Sequence, residues 1–295
     1  MHAADEKWGS HIKKPHPQRW YNKPFEETTM PIDYQETSKD LKTRIDIHQK
    51  YGGRDIDAWM LDTLKPEANI SILDVGCGSG KQCKAFYSYL DGDVDITGVD
   101  VSKELLADAQ ALNKSLGFPF HIQEMDFNQE FPFPEDSFDL VTCCFAIYYA
   151  EDIPFTIREM HRVLKPGGRL FTTGPMPENK QLFYDVIRQA TGKQIPPMPG
   201  SSRYASEILD TIKSTFASTD LEIFENPLVF DAVEPFISYA RASLSEDRKL
   251  WTSLFQGADD FEHVMSKIEE VARRMFDAEG ELVMTKVVGG IIAEK

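Results

Sequence analysis

The run Ile70–Val75, followed at once by Gly76, Gly78 and Gly80, limits the fold of this chain more than any other stretch. The apolar run reads as a buried strand, and the helix-forming residues Lys81–Tyr89 come directly after the glycines. A strand, a tight turn and a helix start are thus packed into twenty residues. Glycine at alternate positions lets the turn adopt positive φ and lets a ligand approach backbone that a Cβ would shield. Asp74, at the carboxyl end of the strand, is expected to face the same crevice.

The pattern then repeats. A β-branched run over residues 94–99 ends in Asp100, and a helix over Lys103–Leu116 is capped by Ser102 and stopped by Gly117. A third strand over 120–125 leads to Asp126, and a fourth over 138–145 is apolar on both faces. A helix over 153–164 ends at the turn Lys165-Pro166-Gly167-Gly168, before a fifth strand over 169–173. Strands alternating with helices imply right-handed crossovers and an α/β, doubly wound, mostly parallel sheet. Ligands of such sheets bind beyond the carboxyl ends of the strands, where Asp74, Asp100 and Asp126 gather.

Outside this frame the signals are coarser. Residues 39–64 predict two helices broken at Gly52-Gly53, with Leu41, Ile45, Trp59, Leu61 and Leu64 as their apolar positions and with Arg44 and His48 on one helix face. Residues 1–38 read as an irregular arm. Its aromatic cluster Trp20, Tyr21 and Phe25 is expected either to cover apolar surface of the domain or to form a lid over the crevice. The remainder, 39–295, reads as one domain with insertions at 175–217 and 231–280. Helices over 179–191 and 206–215 flank a proline-rich run, a strand follows over 221–230, and 231–280 has helical periodicity. Residues 282–293 predict a strand pair, or one strand bent at Gly289-Gly290.

A net charge of -16 and a pI near 4.9 argue against nucleic acid and anionic membranes as partners, since both demand basic surface. The basic residues Lys13, Lys14, Arg19 and Lys23 of the arm run against that balance and read first as a solvated face. No run approaches the roughly 20 apolar residues of a membrane span, and the opening residues lack a signal-peptide core, so a cytoplasmic location is expected. Cys77, Cys83, Cys143 and Cys144 have no zinc-ligand or disulfide spacing and read as buried thiols; no metal is expected.

A glycine turn also serves dinucleotide-binding oxidoreductases. Their third glycine falls three residues after the second, where this chain has Lys81, and Asp74 would repel a pyrophosphate. The ligand group nearest the turn is therefore neutral or cationic. With these differences, residues 72–80, Gly98-Val99-Asp100-Val101-Ser102, Glu124-Met125-Asp126-Phe127, Phe138-Asp139-Leu140-Val141 and the segment 158–168 together make the chain resemble the class I S-adenosylmethionine-dependent methyltransferases, of the small-molecule, type 11-like kind.

That resemblance implies a seven-stranded Rossmann-like sheet with helical insertions around the sixth strand, and S-adenosylmethionine as cofactor with S-adenosylhomocysteine as product. It implies that Asp74 and the Gly76 backbone receive the cofactor ammonium, and that Gly78 and Gly80 permit close approach. Asp100 would accept from the ribose hydroxyls, Val101 would lie on the adenine, Asp126 and the Phe127 amide would read its edge, and Phe145 would sit near the methyl. Many relatives have a histidine pair after the fourth strand; Tyr148-Tyr149 stands there instead. That departure weakens a histidine base and favours an aromatic acceptor wall.

His161 reads as a surface or core histidine. His48 with Tyr51 either reaches the cofactor carboxylate or packs between helices. Tyr21, Tyr148, Tyr149 and Tyr204 are the candidates for lining the acceptor pocket. The expected activity is methyl transfer to O, N or S of a small molecule. A protein or RNA methyltransferase, motivated by the basic arm, and a non-catalytic cofactor-binding subunit are the alternatives.

Overall fold

The computed structural model describes residues 38–117, 120–193, 199–246, 254 and 260–295. The expected arm with Tyr21, the proline run 194–198, and Trp251 and Phe255 of the expected helical stretch lie outside the described residues.

The broken helix pair appears as α1 (Ser38–Tyr51) and α2 (Ile56–Leu64), the second capped by the Asp55 carboxylate. Ile45 is exposed and Ile47 takes the buried position on α1 instead. The alternating frame follows as β1 (Ile70–Val75), α3 (Lys81–Tyr89), β2 (Val94–Asp100), α4 (Lys103–Leu116), β3 (His121–Glu124), β4 (Phe138–Cys144), α5 (Ile153–Val163) and β5 (Leu164–Pro175). Gly80 begins α3 and Gly117 ends α4 in left-handed backbone, and the Ser102 hydroxyl caps α4. The expected turn at 165–168 lies within β5. Leu164 already pairs with Phe138, and the register shifts before Arg169 meets Leu140, so the turn is an irregularity inside the strand.

The second half holds α6 (Gln181–Thr191), α7 (Pro199–Arg203), a π-helical turn over Tyr204–Ile208, α8 (Leu209–Thr215), β6 (Ser218–Phe230), α9 (Val233–Glu246), α10 (Asp260–Glu279) and β7 (Leu282–Glu294). The seven strands lie in the order β3-β2-β1-β4-β5-β7-β6. The first five are parallel, and β7 pairs antiparallel with both β5 and β6. The strand order reverses between β1 and β4, which puts the topological switch beside Asp74.

β7 is one continuous strand without a bend at Gly289-Gly290. Those glycines serve packing: a Cβ on Gly290 would lie 2.7 Å from the Trp59 ring, and one on Gly289 would lie 2.7 Å from Met176 Sδ. Trp59 and Tyr204 therefore approach the sheet from its two faces. One apolar core packs α5 and the 204–216 helices on one face, and a second packs α2, α3 and α4 on the other.

A third core lies off the end of the sheet. β5 stops pairing at Pro175 opposite Val288, whereas β6 and β7 continue for six more pairs, from Glu225↔Val287 to Phe230↔Leu282. At about 3.3 Å per residue this overhang extends roughly 20 Å beyond the carboxyl edge. Leu228, Phe230, Leu282 and Met284 on it pack against Phe183 and Ile187 of α6, Phe236 and Tyr239 of α9, Ile268 of α10 and Ile47 of α1. The insertions thus build a cap beside the ligand edge. No helix among the described residues is long and apolar enough to cross a membrane.

Candidate functional site

Gly76, Gly78 and Gly80 all have positive φ, at 72°, 53° and 81°. The Gly76 and Cys77 amides both donate to the Val99 carbonyl, which ties the turn to β2. A Cβ on Gly76 would lie 2.6 Å from the Ala146 methyl, so this position admits no side chain. On Gly78 it would meet nothing nearer than Leu105 at 3.9 Å, so this part of the turn offers its backbone to open space.

Asp74 is 1% exposed. The Thr142 hydroxyl donates to its Oδ1 at 2.7 Å, and the Cys83 thiol approaches Oδ2 at 3.5 Å. Burial raises its pKa to about 6; these two contacts oppose the rise and the nearby Asp100 charge adds to it. Asp74 therefore sits enclosed behind the turn rather than open to the crevice. Burial also pushes the Cys143 and Cys144 thiols well above their ordinary range, and all four cysteines are free and buried.

Asp100 is half-buried and holds both sides of the crevice. Its Oδ2 accepts from the Gly78 amide at 2.9 Å and its Oδ1 from the Ser102 amide at 2.8 Å. Each oxygen keeps a lone pair, the arrangement a vicinal diol needs. Val101 beside it is 63% exposed, an apolar surface suited to a flat ring. The Asp126 Oδ1 accepts from the Asn128 amide and side chain in an Asx turn, and Phe127 packs against the core below. Together these residues fit a nucleoside with a cationic tail. Among the described residues no group of His, Cys, Asp or Glu is arranged to hold a metal.

Phe145 follows β4 in left-handed backbone, φ 57°, with its amide donating to the Thr173 carbonyl. An aromatic residue held there is strained, as side chains aimed into functional crevices often are. Tyr148 and Tyr149 follow in a short 3-10 helix, their rings 4.7 Å apart. Burial and the neighbouring Tyr149 push the Tyr148 phenol up, so it is a hydrogen-bond donor rather than a base.

Tyr204, expected to line the pocket, is a core residue. It is fully buried, its hydroxyl donates to the Thr172 carbonyl at 2.7 Å, and its ring covers Gly174. His161 also packs, edge-on to Phe216 at 5.0 Å. Tyr51 lies 5.1 Å from Phe230 at the cap.

His48 turns inward with Arg44 from α1, its ring 5.7 Å from Tyr239. Burial, then the charges of Lys286, Lys180 and Arg44, hold its pKa down at about 2. Neither lysine is expected at a site from the sequence. Lys286 is the one charged residue between Leu282 and Ala293 of β7, a signal visible in the chain but uninterpretable without its neighbours. Thr142 and Cys83 escape sequence reasoning for the same cause.

A family model described as a methyltransferase domain matches residues 73–172, the span from β1 through β5. The chain is 34% identical over 205 residues to the uncharacterized methyltransferase YcgJ of Bacillus subtilis (strain 168), covering 68% of this chain and 77% of that one. It is 30% identical over 145 residues to the ubiquinone/menaquinone biosynthesis C-methyltransferase UbiE of Psychromonas ingrahamii, where it spans 57% of the relative's length. In fold it is similar to the crystal structure of YcgJ, with a TM-score of 0.53 at 21% identity over 81% of this chain and 97% of that one. It is also similar to phosphoethanolamine N-methyltransferase 2 of Haemonchus contortus, crystallised with S-adenosyl-L-methionine, at a TM-score of 0.50 and 18% identity over 88% of this chain and 57% of that one. The glycine turn, the acids at successive strand ends and these relationships agree: the chain belongs to the S-adenosylmethionine-dependent methyltransferases.

Proposed function

We propose that this methyltransferase acts on a small molecule, transferring the methyl group to O, N or S by in-line displacement. S-adenosylmethionine, when bound, supplies an activated methyl with its own leaving group. The chain's task is then to bind, align and exclude water. In this reading the turn backbone, close-packed at Gly76 and open at Gly78, receives the methionine end, with buried Asp74 behind it as the charge that balances the ammonium. Gly80 lets the turn close onto α4. Asp100 takes the ribose hydroxyls, Val101 the adenine face, and Asp126 with the Phe127 amide the adenine edge. Phe145 stands near the methyl, and Tyr148 and Tyr149 form the acceptor wall.

The observation that carries the small-molecule reading is the cap: the overhang of β6 and β7, with α1, α6, α9 and α10 packed on it, stands beside the carboxyl edge where the acceptor must enter. A crevice walled on one side by such a cap suits a metabolite better than a folded polymer. Carbon belongs among the acceptor atoms to be tested, because the P. ingrahamii relative is named for C-methylation in quinone biosynthesis.

The test is incubation of the purified chain with methyl-labelled cofactor and a metabolite mixture, read by mass spectrometry. Label in the low-mass fraction is expected. Label appearing only in added protein or RNA would replace this reading with the macromolecular one, and no transfer to any acceptor would favour a non-catalytic subunit.

A further inference from the structure

The cap meets the crevice at a cluster of cations that the cofactor reading leaves unused. Lys286 of β7 lies just beyond the last contacts of β5, and its Nζ sits 5.3 Å above the Phe145 ring. Lys180 stands just before α6 in left-handed backbone, φ 63°. Its amide donates to the Thr285 carbonyl at 2.9 Å, which fixes it beside Lys286. From there its Nζ reaches 5.5 Å above the Tyr239 ring. Arg44 and His48 face the same place from α1, and Lys81 from α3.

Among the described residues no carboxylate lies within salt-bridge distance of Lys180 or Lys286. Asp57, the nearest acid in effect, is already paired with Lys81 at 2.9 Å. Among the described residues the Nδ1 of His48 has no hydrogen-bond partner, and the hydroxyl of fully buried Tyr239 has no polar neighbour beyond Lys180 itself. Two ammonium groups with no carboxylate partner and an unmet histidine nitrogen are costly in a half-buried setting. In a chain of net charge -16 they are not a consequence of composition.

We infer that the methyl acceptor is an anion, a small molecule whose carboxylate or phosphate is held between Lys180 and Lys286, with Tyr239 and His48 completing its hydrogen bonds. This rests on the small-molecule reading and narrows it. The anionic end would be drawn under the cap while the atom to be methylated is left at Phe145. Lysine suits this role as a point charge with rotatable donors.

The charges respond to pH in a defined order. Burial, followed by the charges of Lys180, Lys81 and Arg44, lowers Lys286 to about 8, with Asp57 opposing. Burial also acts to lower Lys180, but the Tyr239 and Tyr184 phenols outweigh it and carry this lysine above its ordinary value. His48 stays neutral through the physiological range. Anion binding is therefore expected to weaken as pH rises from 7 to 9 through the loss of the Lys286 charge, and to retain a residual part held by Lys180.

The test uses the full chain loaded with S-adenosylhomocysteine, and titrates it with benzoate and phenyl phosphate against the neutral benzamide and benzyl alcohol. The anions should bind at least about tenfold tighter, a gap of roughly 1.4 kcal/mol. Lys286→Met should remove most of that gap and Lys180→Met should reduce it. Both should leave affinity for S-adenosylhomocysteine within about twofold, and Lys286→Gln guards against a packing effect particular to methionine. Equal binding of neutral and anionic probes would overturn the inference, as would an unchanged gap in both variants. A loss of S-adenosylhomocysteine affinity with the gap intact would assign the lysines to the cofactor carboxylate instead. Methylation of a neutral metabolite by the same protein would overturn the anion while sparing the small-molecule reading; label found only in a polymer would remove both.

Discussion

Asp74 and Asp100 end neighbouring strands with the same side chain, yet their surroundings give them opposite tasks. Asp100 is half-buried with spare lone pairs, a group that can meet a ligand directly. Asp74 is enclosed, its oxygens engaged by Thr142 and Cys83. Folding raises its pKa from 3.8 to about 6. The folded state thus binds more protons between those values, and this group's contribution to stability falls as pH rises through that window and stays low above it. Asp74→Asn keeps the Thr142 contact and removes the charge. It is expected to stabilise the cofactor-free chain at pH 7.5 by up to about 3 kcal/mol, since a tenfold change in acidity on folding corresponds to roughly 1.4 kcal/mol. The gain should vanish near pH 4, and affinity for S-adenosylmethionine should fall. Urea denaturation at the two pH values checks this; equal stability of both proteins at pH 7.5 would contradict the buried-charge account.

At the scale of elements, the sheet places the chemistry through close approach at a few glycines. A methyl on Gly174 would overlap the Tyr204 ring, whose hydroxyl ties α7 and the π-turn to Thr172 of β5. Gly174→Ala is expected to cost about 1–3 kcal/mol through overpacking, measured by thermal or urea unfolding. A Cβ added to Gly53 would meet no atom within 4 Å, and this residue takes no left-handed φ. Gly53→Ala should therefore be neutral or stabilise by less than about 1 kcal/mol. A reversed order of these two effects would refute the packing described around β5.

Much of this is legible in the chain because it is local. The five alternating strands, the caps at Ser102 and Gly117 and the three strand-end acids depend on neighbours a few residues apart. Tyr204 is not legible in that way: its partners, Gly174 and Gly289, are far away in sequence, and a tyrosine beside a proline-rich run looks like a lining residue. Gly289-Gly290 suggests a bend because the Trp59 and Tyr204 rings that require the two glycines come from other elements.

Over the whole molecule, the proposed reading divides one sheet between two ligands. The frame from β1 to β5 carries the strand-end acids, and the overhang of β6 and β7 carries the cap. That division follows from pairing between strands separated by about fifty residues, a distance over which periodicity carries no information. The cation cluster of Lys180, Lys286 and His48 is the clearest case, since even Lys286, alone in charge on its stretch of β7, acquires meaning only where α1, α6 and β7 meet.

In the proposed site the carboxyl-edge crevice holds the methyl donor, with Asp100 as its direct contact. Calorimetric titration of S-adenosylhomocysteine into the chain and into Asp100→Ala tests this most directly. Saturable binding to the native chain, weakened at least about tenfold in the variant, or roughly 1.4 kcal/mol, is the predicted result. Absence of binding to the native chain, or equal affinity in the variant, would contradict it.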